Sequence, residues 1–229
     1  MATVRDLGKL AEAVYDDTCT SYSGWARTHF HASSGRLNGF QAATFVKGNI
    51  TVISFRGSAQ AMDFAADAKL GTGMNSTYFS EGEAYARPYL NTPFVYVCGH
   101  SLGGAIAQIV ANRCGFIMVT FNAPGVAVLA SRNMAQSSLA MNVVRGAGVV
   151  ISAIRHPKQA ARDMASAFNI VRGLNICLEN DVVSKVGNHY GEVIRIPGTS
   201  ANPLTEHKIE TMNTVLAKDP VGGKLVATL

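Results

Sequence analysis

The sequence predicts an α/β fold with a mostly parallel central sheet and helices on both faces. Short segments of strand length alternate with segments of helix length along most of the chain. Several of the strand segments, such as 94–98 and 116–121, are almost continuously apolar, which is typical of strands buried on both faces. No linker or internal repeat divides the 229 residues, and we therefore expect a single domain over residues 1–229.

The elements follow from the local patterns. Residues 4–15 have the apolar spacing of an amphipathic helix, and the polar, turn-rich residues 16–38 predict a loop. The segments 39–46 and 50–55 are joined at Lys47-Gly48-Asn49, which predicts an antiparallel hairpin near the N-terminus. The remaining helices are expected at 59–68, 81–90, 105–113 and 206–217, and the remaining strands at 94–98, 116–121, 173–178 and 192–196.

Residues 141–172 do not fit this alternation. Their apolar run is interrupted by glycine, and basic residues then alternate with apolar ones, which indicates one or two helices inserted between core strands. Two interpretations remain open: a cap or membrane-facing element with basic flanks, or an extra pair of structural helices.

The composition limits the partners. Only 15% of the residues are charged, and the net charge is +5, which favours anionic surfaces such as phospholipid headgroups. Transient contact with a membrane surface fits this composition, and so does a large core. The basic residues are scattered, so no nucleic-acid partner is expected. No pattern indicates an oligomeric state.

The cysteines and the N-terminal residues indicate which cofactors and which cellular location to expect. Cys19, Cys98, Cys114 and Cys177 lack the spacing of metal ligands and are predicted to be free thiols, so neither a metal nor another cofactor is expected. The N-terminal residues do not predict a signal peptide, and no apolar run is long enough to span a membrane. We therefore expect a cytoplasmic protein, or one exported without a cleaved signal peptide.

The segment Gly99-His100-Ser101-Leu102-Gly103-Gly104 indicates the chemistry. It fits the pattern G-x-S-x-G and lies between a predicted strand and a predicted helix, which is the context of the nucleophile turn of the α/β-hydrolase fold. The glycines allow the backbone to crowd itself in a tight turn, and the helix dipole favours negative charge near Ser101. A serine held there can attack an acyl carbonyl, given a base and an oxyanion hole.

The acid and the base are expected later in the chain, after strands. Asp181 follows the predicted strand 173–178 and is the preferred acid, with Glu179 as the weaker candidate. His207 lies on a segment able to return to the turn and is preferred as the base over His189, which follows Asp181 too closely. The other histidines are interpreted as surface residues, as a neighbour of the nucleophile or as part of the inserted segment: His29, His31, His100 and His156.

The oxyanion hole needs two donors. The backbone N–H of Leu102, directly after the nucleophile, is the first expected donor. The second is expected from Ser58, which follows a strand and offers both a backbone N–H and a hydroxyl group; a plain turn at Gly57-Ser58 would look the same.

Together these residues resemble the class 3 lipase family, the group similar to filamentous-fungal triacylglycerol lipases, and within it the bacterial or effector-type members. The resemblance covers nearly the whole domain and rests on these matches: Ile53-Ser54-Phe55-Arg56-Gly57-Ser58, Asp63-Phe64-Ala65-Ala66-Asp67, the nucleophile turn, Thr120-Phe121-Asn122-Ala123-Pro124-Gly125-Val126, Asn180-Asp181-Val182-Val183 and His207. It implies a Ser101–Asp181–His207 triad, an oxyanion role for Ser58 and Leu102, a supporting role for Asp67, and a lid over residues 59–70.

The sequence departs from the family at Phe64, where tryptophan is usual, and at Val182, where proline is common. We predict a serine hydrolase that acts on carboxylic esters of lipids as a lipase or esterase. A phospholipase, including one that attacks a competitor's membrane as an antibacterial effector, is the first alternative. A carboxylesterase without interfacial activation is the second, and a catalytically silent lipid-binding protein is the third.

Overall fold

The computed structural model describes residues 1–33, 39–57, 76–126 and 171–229. In this part of the chain one sheet of eight strands is present, and the strands lie side by side in the order in which they occur along the chain. The strands are β1 (Ser21–Tyr22), β2 (Trp25–Ala32), β3 (Gln41–Lys47), β4 (Ile50–Phe55), β5 (Val95–His100), β6 (Ile117–Phe121), β7 (Gly173–Leu178) and β8 (Glu192–Ile196). The longer helices are α1 (Val4–Ala13), α2 (Ser76–Ala86), α3 (Leu102–Cys114), α4 (Pro203–His207) and α5 (Ile209–Leu216).

The sheet has an antiparallel edge and a parallel remainder. Strands β1 to β4 pair antiparallel, whereas β4 to β8 pair parallel. The predicted fold class, a mostly parallel sheet with helices on both faces and an antiparallel N-terminal hairpin, is confirmed. The parallel arrangement brings the carboxyl ends of these strands to one edge of the sheet, where sites of open α/β sheets form.

Alternate side chains of the parallel strands enter two different apolar layers. The layer against α1 and α5 contains, among others, Tyr96, Cys98, Val119 and Phe121. The layer against α2 and α3 contains Ile53, Phe55, Val97 and Met118. Each layer buries a full helix face, and this burial of apolar surface supplies most of the stabilisation of the strand ends that carry the site.

Helix α1 begins where the sequence allows a cap. The Thr3 side chain accepts from the Asp6 N–H, and the Asp6 carboxylate accepts from the Thr3 N–H, which is a capping box. The buried face of the helix, which includes Leu7 and Leu10, packs on the sheet. The helix ends just before Tyr15, whose side chain reaches the candidate site described below.

Two sequence predictions were wrong at this level. Residues 16–38 are not only a loop, because they contain β1 and β2; a register shift between Arg27 and His29 and exposed polar residues on β2 hide the alternation that marks a strand. The final helix is not continuous over 206–217, because Lys208 is extended (φ −66°, ψ 140°) and separates α4 from α5. Neither proline nor glycine marks this break.

The four cysteines are free, as predicted, and Cys98, Cys114 and Cys177 are buried. Among the described helices, none has the length and apolar character needed to cross a membrane.

Candidate active site

The G-x-S-x-G segment forms a tight turn between β5 and α3. Ser101 joins the two elements with φ 56° and ψ −127°, a conformation that a residue with a side chain adopts only under constraint. Its N–H donates to the Phe121 carbonyl at 3.1 Å, and its carbonyl accepts from the Ala105 N–H at 3.1 Å. These bonds on both sides hold Ser101 at the carboxyl edge of the sheet.

Three positions of the turn must be glycine because other groups approach their Cα atoms closely. A Cβ atom on Gly99 would collide with the Gly103 carbonyl group, and one on Gly103 would collide with the Phe55 carbonyl group. A Cβ atom on Gly104 would lie 2.5 Å from the Ala123 Cβ. The turn therefore forms only because these positions lack side chains.

Ser101, His207 and Asp181 form a continuous hydrogen-bonded triad. The Ser101 Oγ lies 3.0 Å from the His207 Nε2, and the His207 Nδ1 lies 2.8 Å from the Asp181 Oδ1. Because an ionised carboxylate only accepts, the proton of the neutral imidazole resides on Nδ1 and leaves Nε2 free to accept from the Ser101 hydroxyl. The structure thus brings together the three residues that the sequence predicts as nucleophile, base and acid, all of them buried.

Asp181 is held ionised by its surroundings. Its Oδ2 accepts from the Ser184 N–H at 2.8 Å and its Oδ1 from the Val183 N–H at 3.3 Å. Burial by itself would raise the pKa of this carboxyl group, but the hydrogen bond and charge of His207 and the Ser184 N–H outweigh it and hold the pKa below its ordinary value. Asp181 can therefore orient His207 and stabilise its protonated form.

His207 is the last residue of the short helix α4. The helix is capped at its N-terminus by Asn202, whose side chain accepts from the Leu204 N–H at 2.9 Å, and it begins at Pro203. The buried carboxylate of Glu206 accepts from the N–H groups of Thr199 and Ser200 at 2.8 and 2.6 Å. The segment before His207 is therefore tied to the helix that carries it.

Side chains from the sheet edge bind both peptide groups that flank His207. Asn122, directly after β6, donates to the Glu206 carbonyl at 2.7 Å and accepts from the Leu178 N–H at 2.9 Å. The His100 Nε2 lies 2.6 Å from the His207 carbonyl oxygen. The base is thus attached to the ends of β5 and β6 through its main chain as well as its ring.

His100 is neutral in this setting. Burial, followed by the influence of the nearby His207, lowers the pKa of His100 to about 3. The centroids of the two imidazole rings are only 4.9 Å apart. A charge on His100 would therefore lie close to the ring of the catalytic base, and burial of His100 opposes such a charge.

Among the described hydrogen bonds, neither the alternative acid Glu179 nor the alternative base His189 binds a residue of the triad. Glu179 is exposed, and its N–H donates to the Ile196 carbonyl. The His189 Nε2 lies 2.8 Å from the Ala123 carbonyl, so this ring stabilises the loop after β6. His29 and His31 are exposed, as expected, but lie on β2 rather than in a loop.

The oxyanion hole is described only in part. Leu102 is the first residue of α3, so its N–H has no acceptor within the helix and is available near Ser101. Ser58 and Asp67 lie outside the described residues, as do the expected lid 59–70 and residues 141–170 of the inserted segment. Gly57, the last residue described before Ser58, packs so closely that an added Cβ would lie 3.2 Å from the Ser101 Cβ.

Sequence reasoning missed two residues that support the triad. Tyr15 lies in no recognisable motif, and its hydroxyl lies 3.1 Å from the Nδ1 of His100, which is 85 positions away in the sequence. Asn122 belongs to the segment 120–126, which resembles the class 3 lipase family. The only sequence signal for its supporting role is its position directly after an apolar strand. Among the described residues, no group of three or more His, Cys, Asp or Glu could hold a metal ion.

Comparison with known proteins assigns the chain to a family. A family model described as a phospholipase-like, Tle-like phospholipase domain matches residues 7–159, well over half of the sequence. The chain belongs to this family. The matched span of the Tle-like phospholipase domain contains Ser101 and ends before Asp181 and His207, so the arrangement of the acid and the base rests on the geometry described above.

Individual proteins are similar to this chain in part of the sequence or in the fold. The Tle-like domain is 32% identical over 92 residues to an extracellular phospholipase A1 from Serratia liquefaciens, an alignment that covers 39% of this chain and 28% of the relative. The chain thus matches little more than a quarter of that relative's length. The Lip2 lipase from Yarrowia lipolytica shares the fold at 14% identity, with a TM-score of 0.51 over 89% of this chain and 80% of that chain. A triacylglycerol lipase from Penicillium expansum has 16% identity and a TM-score of 0.46 over 85% of this chain and 79% of that chain.

Proposed function

We propose that this Tle-like phospholipase domain hydrolyses carboxylic ester bonds of lipids, with Ser101 as the nucleophile. The observation that carries the proposal is the continuous hydrogen-bonded series from the Ser101 Oγ through His207 to Asp181, at 3.0 and 2.8 Å. This series occurs at the carboxyl edge of a parallel sheet, with the serine in a constrained turn before a helix. Nucleophile, base and orienting acid in this geometry are the requirements of acyl transfer.

The first half of the reaction transfers the acyl group to the enzyme. The Ser101 Oγ attacks the ester carbonyl carbon while the His207 Nε2 takes the hydroxyl proton, and a tetrahedral oxyanion forms. Asp181 stabilises the imidazolium. The tetrahedral species then collapses, the bond to the leaving alcohol breaks, and His207 returns its proton to the departing oxygen.

The second half repeats the sequence with water. His207 removes a proton from a water molecule, whose oxygen attacks the acyl-serine carbonyl. Breakdown of the second tetrahedral species releases the carboxylic acid and returns the proton to the Ser101 Oγ. In both halves the Leu102 N–H stabilises the oxyanion, and Ser58 is proposed as the second donor.

Phospholipid is the substrate class we favour. The family model is that of a phospholipase-like domain, and the Serratia relative is named a phospholipase A1. The net charge of +5 supports binding to anionic headgroups. Triacylglycerols and short soluble esters are the competing substrates, because the triad chemistry is the same for all three.

The test measures fatty acid release from phosphatidylglycerol and phosphatidylethanolamine vesicles, triolein emulsions and p-nitrophenyl esters. We expect vesicle hydrolysis to exceed triolein hydrolysis, and Ser101→Ala to lower the rate by about 10³-fold or more. Ser21→Ala, at an exposed serine on β1, is the matched control and should retain full activity. A folded wild-type protein that releases no fatty acid and is not labelled by a fluorophosphonate would instead be a catalytically silent lipid binder.

A further inference from the structure

A hydrogen-bonded chain outside the triad connects the end of β4 with the main chain of the base. The Gly57 N–H donates to the Tyr15 hydroxyl oxygen at 3.1 Å, and the Tyr15 hydroxyl lies 3.1 Å from the His100 Nδ1. The other ring nitrogen of His100, Nε2, lies 2.6 Å from the His207 carbonyl oxygen. These hydrogen bonds therefore extend from Gly57, on one side of the nucleophile turn, to His207 on the other.

The directions of these bonds determine the tautomer of His100. A carbonyl oxygen can only accept, so His100 must carry its proton on Nε2 to bind the His207 carbonyl. In a neutral ring Nδ1 is then bare and must accept, so the Tyr15 hydroxyl donates to it. The bond from the Gly57 N–H uses only a lone pair of the Tyr15 oxygen, so the hydroxyl hydrogen remains available to donate. All three bonds are satisfied by one arrangement of protons.

The carbonyl that His100 binds is one that the helix cannot satisfy. His207 ends α4, and the extended Lys208 that follows breaks the helical hydrogen bonding before α5 begins. The Lys208 N–H of the same peptide donates to the Thr205 carbonyl at 3.2 Å, and the His100 N–H holds the carbonyl end of this peptide. The peptide carries the imidazole that must face the Ser101 Oγ, so its rotation would move the His207 Nε2 away from the nucleophile.

Close packing restricts the residues of this hydrogen-bonded series. A Cβ atom added at Gly57 would lie 2.5 Å from the Tyr15 hydroxyl oxygen and 2.7 Å from the His100 carbonyl oxygen. His100 itself is buried, with 6% of its surface exposed. The Tyr15 and His100 side chains therefore have little room to adopt a different pairing.

We propose that His100 is a positioning residue, held as its Nε2–H tautomer by the His207 carbonyl and oriented by Tyr15, that fixes the main chain of His207 so that the base faces Ser101. This assigns a role to the variable residue before the serine in the G-x-S-x-G turn. The kinetic consequence rests on the proposed ester hydrolysis, whereas the tautomer and the hydrogen bond from Tyr15 do not.

The first test reads the tautomer directly. The protein is labelled with ¹⁵N-histidine, and long-range ¹H–¹⁵N spectra are recorded for the wild type, Tyr15→Phe and His100→Gln, the last of which identifies the His100 signals by their loss. We expect a single Nε2–H tautomer in the wild type, and the same tautomer with a shifted Nδ1 resonance in Tyr15→Phe, because the His207 carbonyl still requires the Nε2 proton whereas Nδ1 loses its donor. A wild-type Nδ1–H tautomer, or an Nδ1 resonance unaffected by Tyr15→Phe, overturns the proposal even if the protein hydrolyses no ester.

The second test separates positioning from stability by kcat and KM on p-nitrophenyl butyrate. We expect His100→Ala to lower kcat by about 100-fold with KM changed by less than about twofold, because displacement of the base affects the chemical step. His100→Gln, whose amide N–H can still donate to the His207 carbonyl, should recover about tenfold, and Tyr15→Phe should lose about tenfold. Should His100→Ala fail to fold, Tyr15→Phe and His100→Gln decide alone.

Ser54→Ala is the matched control. The Ser54 hydroxyl is also a buried donor to a main-chain carbonyl, that of Leu10 at 3.0 Å, and it joins β4 to α1 without contacting the triad. We expect Ser54→Ala to lower Tm and leave kcat unchanged. Unchanged kcat in both Tyr15→Phe and His100→Gln, or equal losses in these variants and in Ser54→Ala, would show a structural role and overturn the proposal.

Discussion

The two halves of the triad are held in place by different physical means. Ser101 is held by the steric demands of a six-residue turn, in which glycines allow main-chain groups to touch. His207 is held by side chains distant in the sequence, because Asn122 and His100 bind the carbonyl groups on either side of it at 2.7 and 2.6 Å. The first device is steric and depends on glycines within one short segment, and the second is polar and uses side chains distant in the sequence.

The difference predicts different kinds of failure. A change in the turn forces the main chain apart, so it damages the fold and the activity together. A change around His207 removes one hydrogen bond and leaves the packing of the two apolar layers intact, so it reduces activity more than stability. Variants of the two regions test this distinction.

The largest effect is expected on the polar side of the comparison, for Asp181→Asn. An amide facing the His207 Nδ1 favours the wrong imidazole tautomer, so kcat should fall by about 10⁴-fold with the folded state retained. The measurement is kcat together with Tm. Asp219→Asn, at a carboxylate that caps a short 3₁₀ helix by accepting from the Val221 N–H at 2.8 Å, is the control and should remain active. A decrease of less than about tenfold for Asp181→Asn would show that Asp181 does not orient the base.

Gly103→Ala tests the steric side. Its Cβ would collide with the Phe55 carbonyl, and we expect the free energy of unfolding to fall by about 3 kcal/mol together with loss of activity. Denaturant unfolding of Gly223→Ala gives the comparison, because nothing lies within 4 Å of a Cβ at that glycine. Full stability of Gly103→Ala would mean that the turn tolerates a side chain and is not held by steric contact.

Asn122→Ala sharpens the comparison by removing a support of the base. The Glu206 carbonyl and the Leu178 N–H would lose their partner, so we expect kcat to fall by about tenfold and the free energy of unfolding by about 1–3 kcal/mol. Asn213→Ala removes a comparable buried bond to a carbonyl, that of Gly8 at 3.1 Å, away from the triad. It should lose stability and keep kcat; equal kcat values for the two variants would contradict a role of Asn122 at the base.

The dependence of stability on pH tests the burial of His100 without a measurement of activity. Burial lowers the pKa of folded His100 to about 3, whereas in the unfolded chain it is about 6.5. Between these values the unfolded chain binds a proton that the folded chain does not, so stability falls as the pH is lowered, by about 1.4 kcal/mol per pH unit from this residue.

The measurement is urea unfolding of the wild type and His100→Gln between pH 4 and 6. Burial also lowers the pKa of His189, which contributes in the same direction, and only the difference between the two proteins reports His100. We expect the slope to be smaller in His100→Gln. Parallel curves would show that folded His100 takes up protons as readily as the unfolded residue does.

The elements predicted correctly are those with strong local signals. The strands at 173–178 and 192–196 and the helix after Ser101 follow from the composition and length of their own segments. Strand β2 was missed because its exposed edge carries polar side chains and an irregular register. The break at Lys208 was missed because no residue with poor helix propensity marks it.

The sequence by itself determined the turn around Ser101, because the crowded positions Gly99, Gly103 and Gly104 lie within six residues and leave a pattern of glycines that can be read directly. It also limited the acid and the base to a few side chains after strands. Only the tertiary structure decided among them and revealed the supports of His207. Hydrogen bonds from Tyr15, His100 and Asn122 depend on which strand ends meet at one edge of the sheet, and a donor and acceptor separated by many residues leave no periodic trace in the chain.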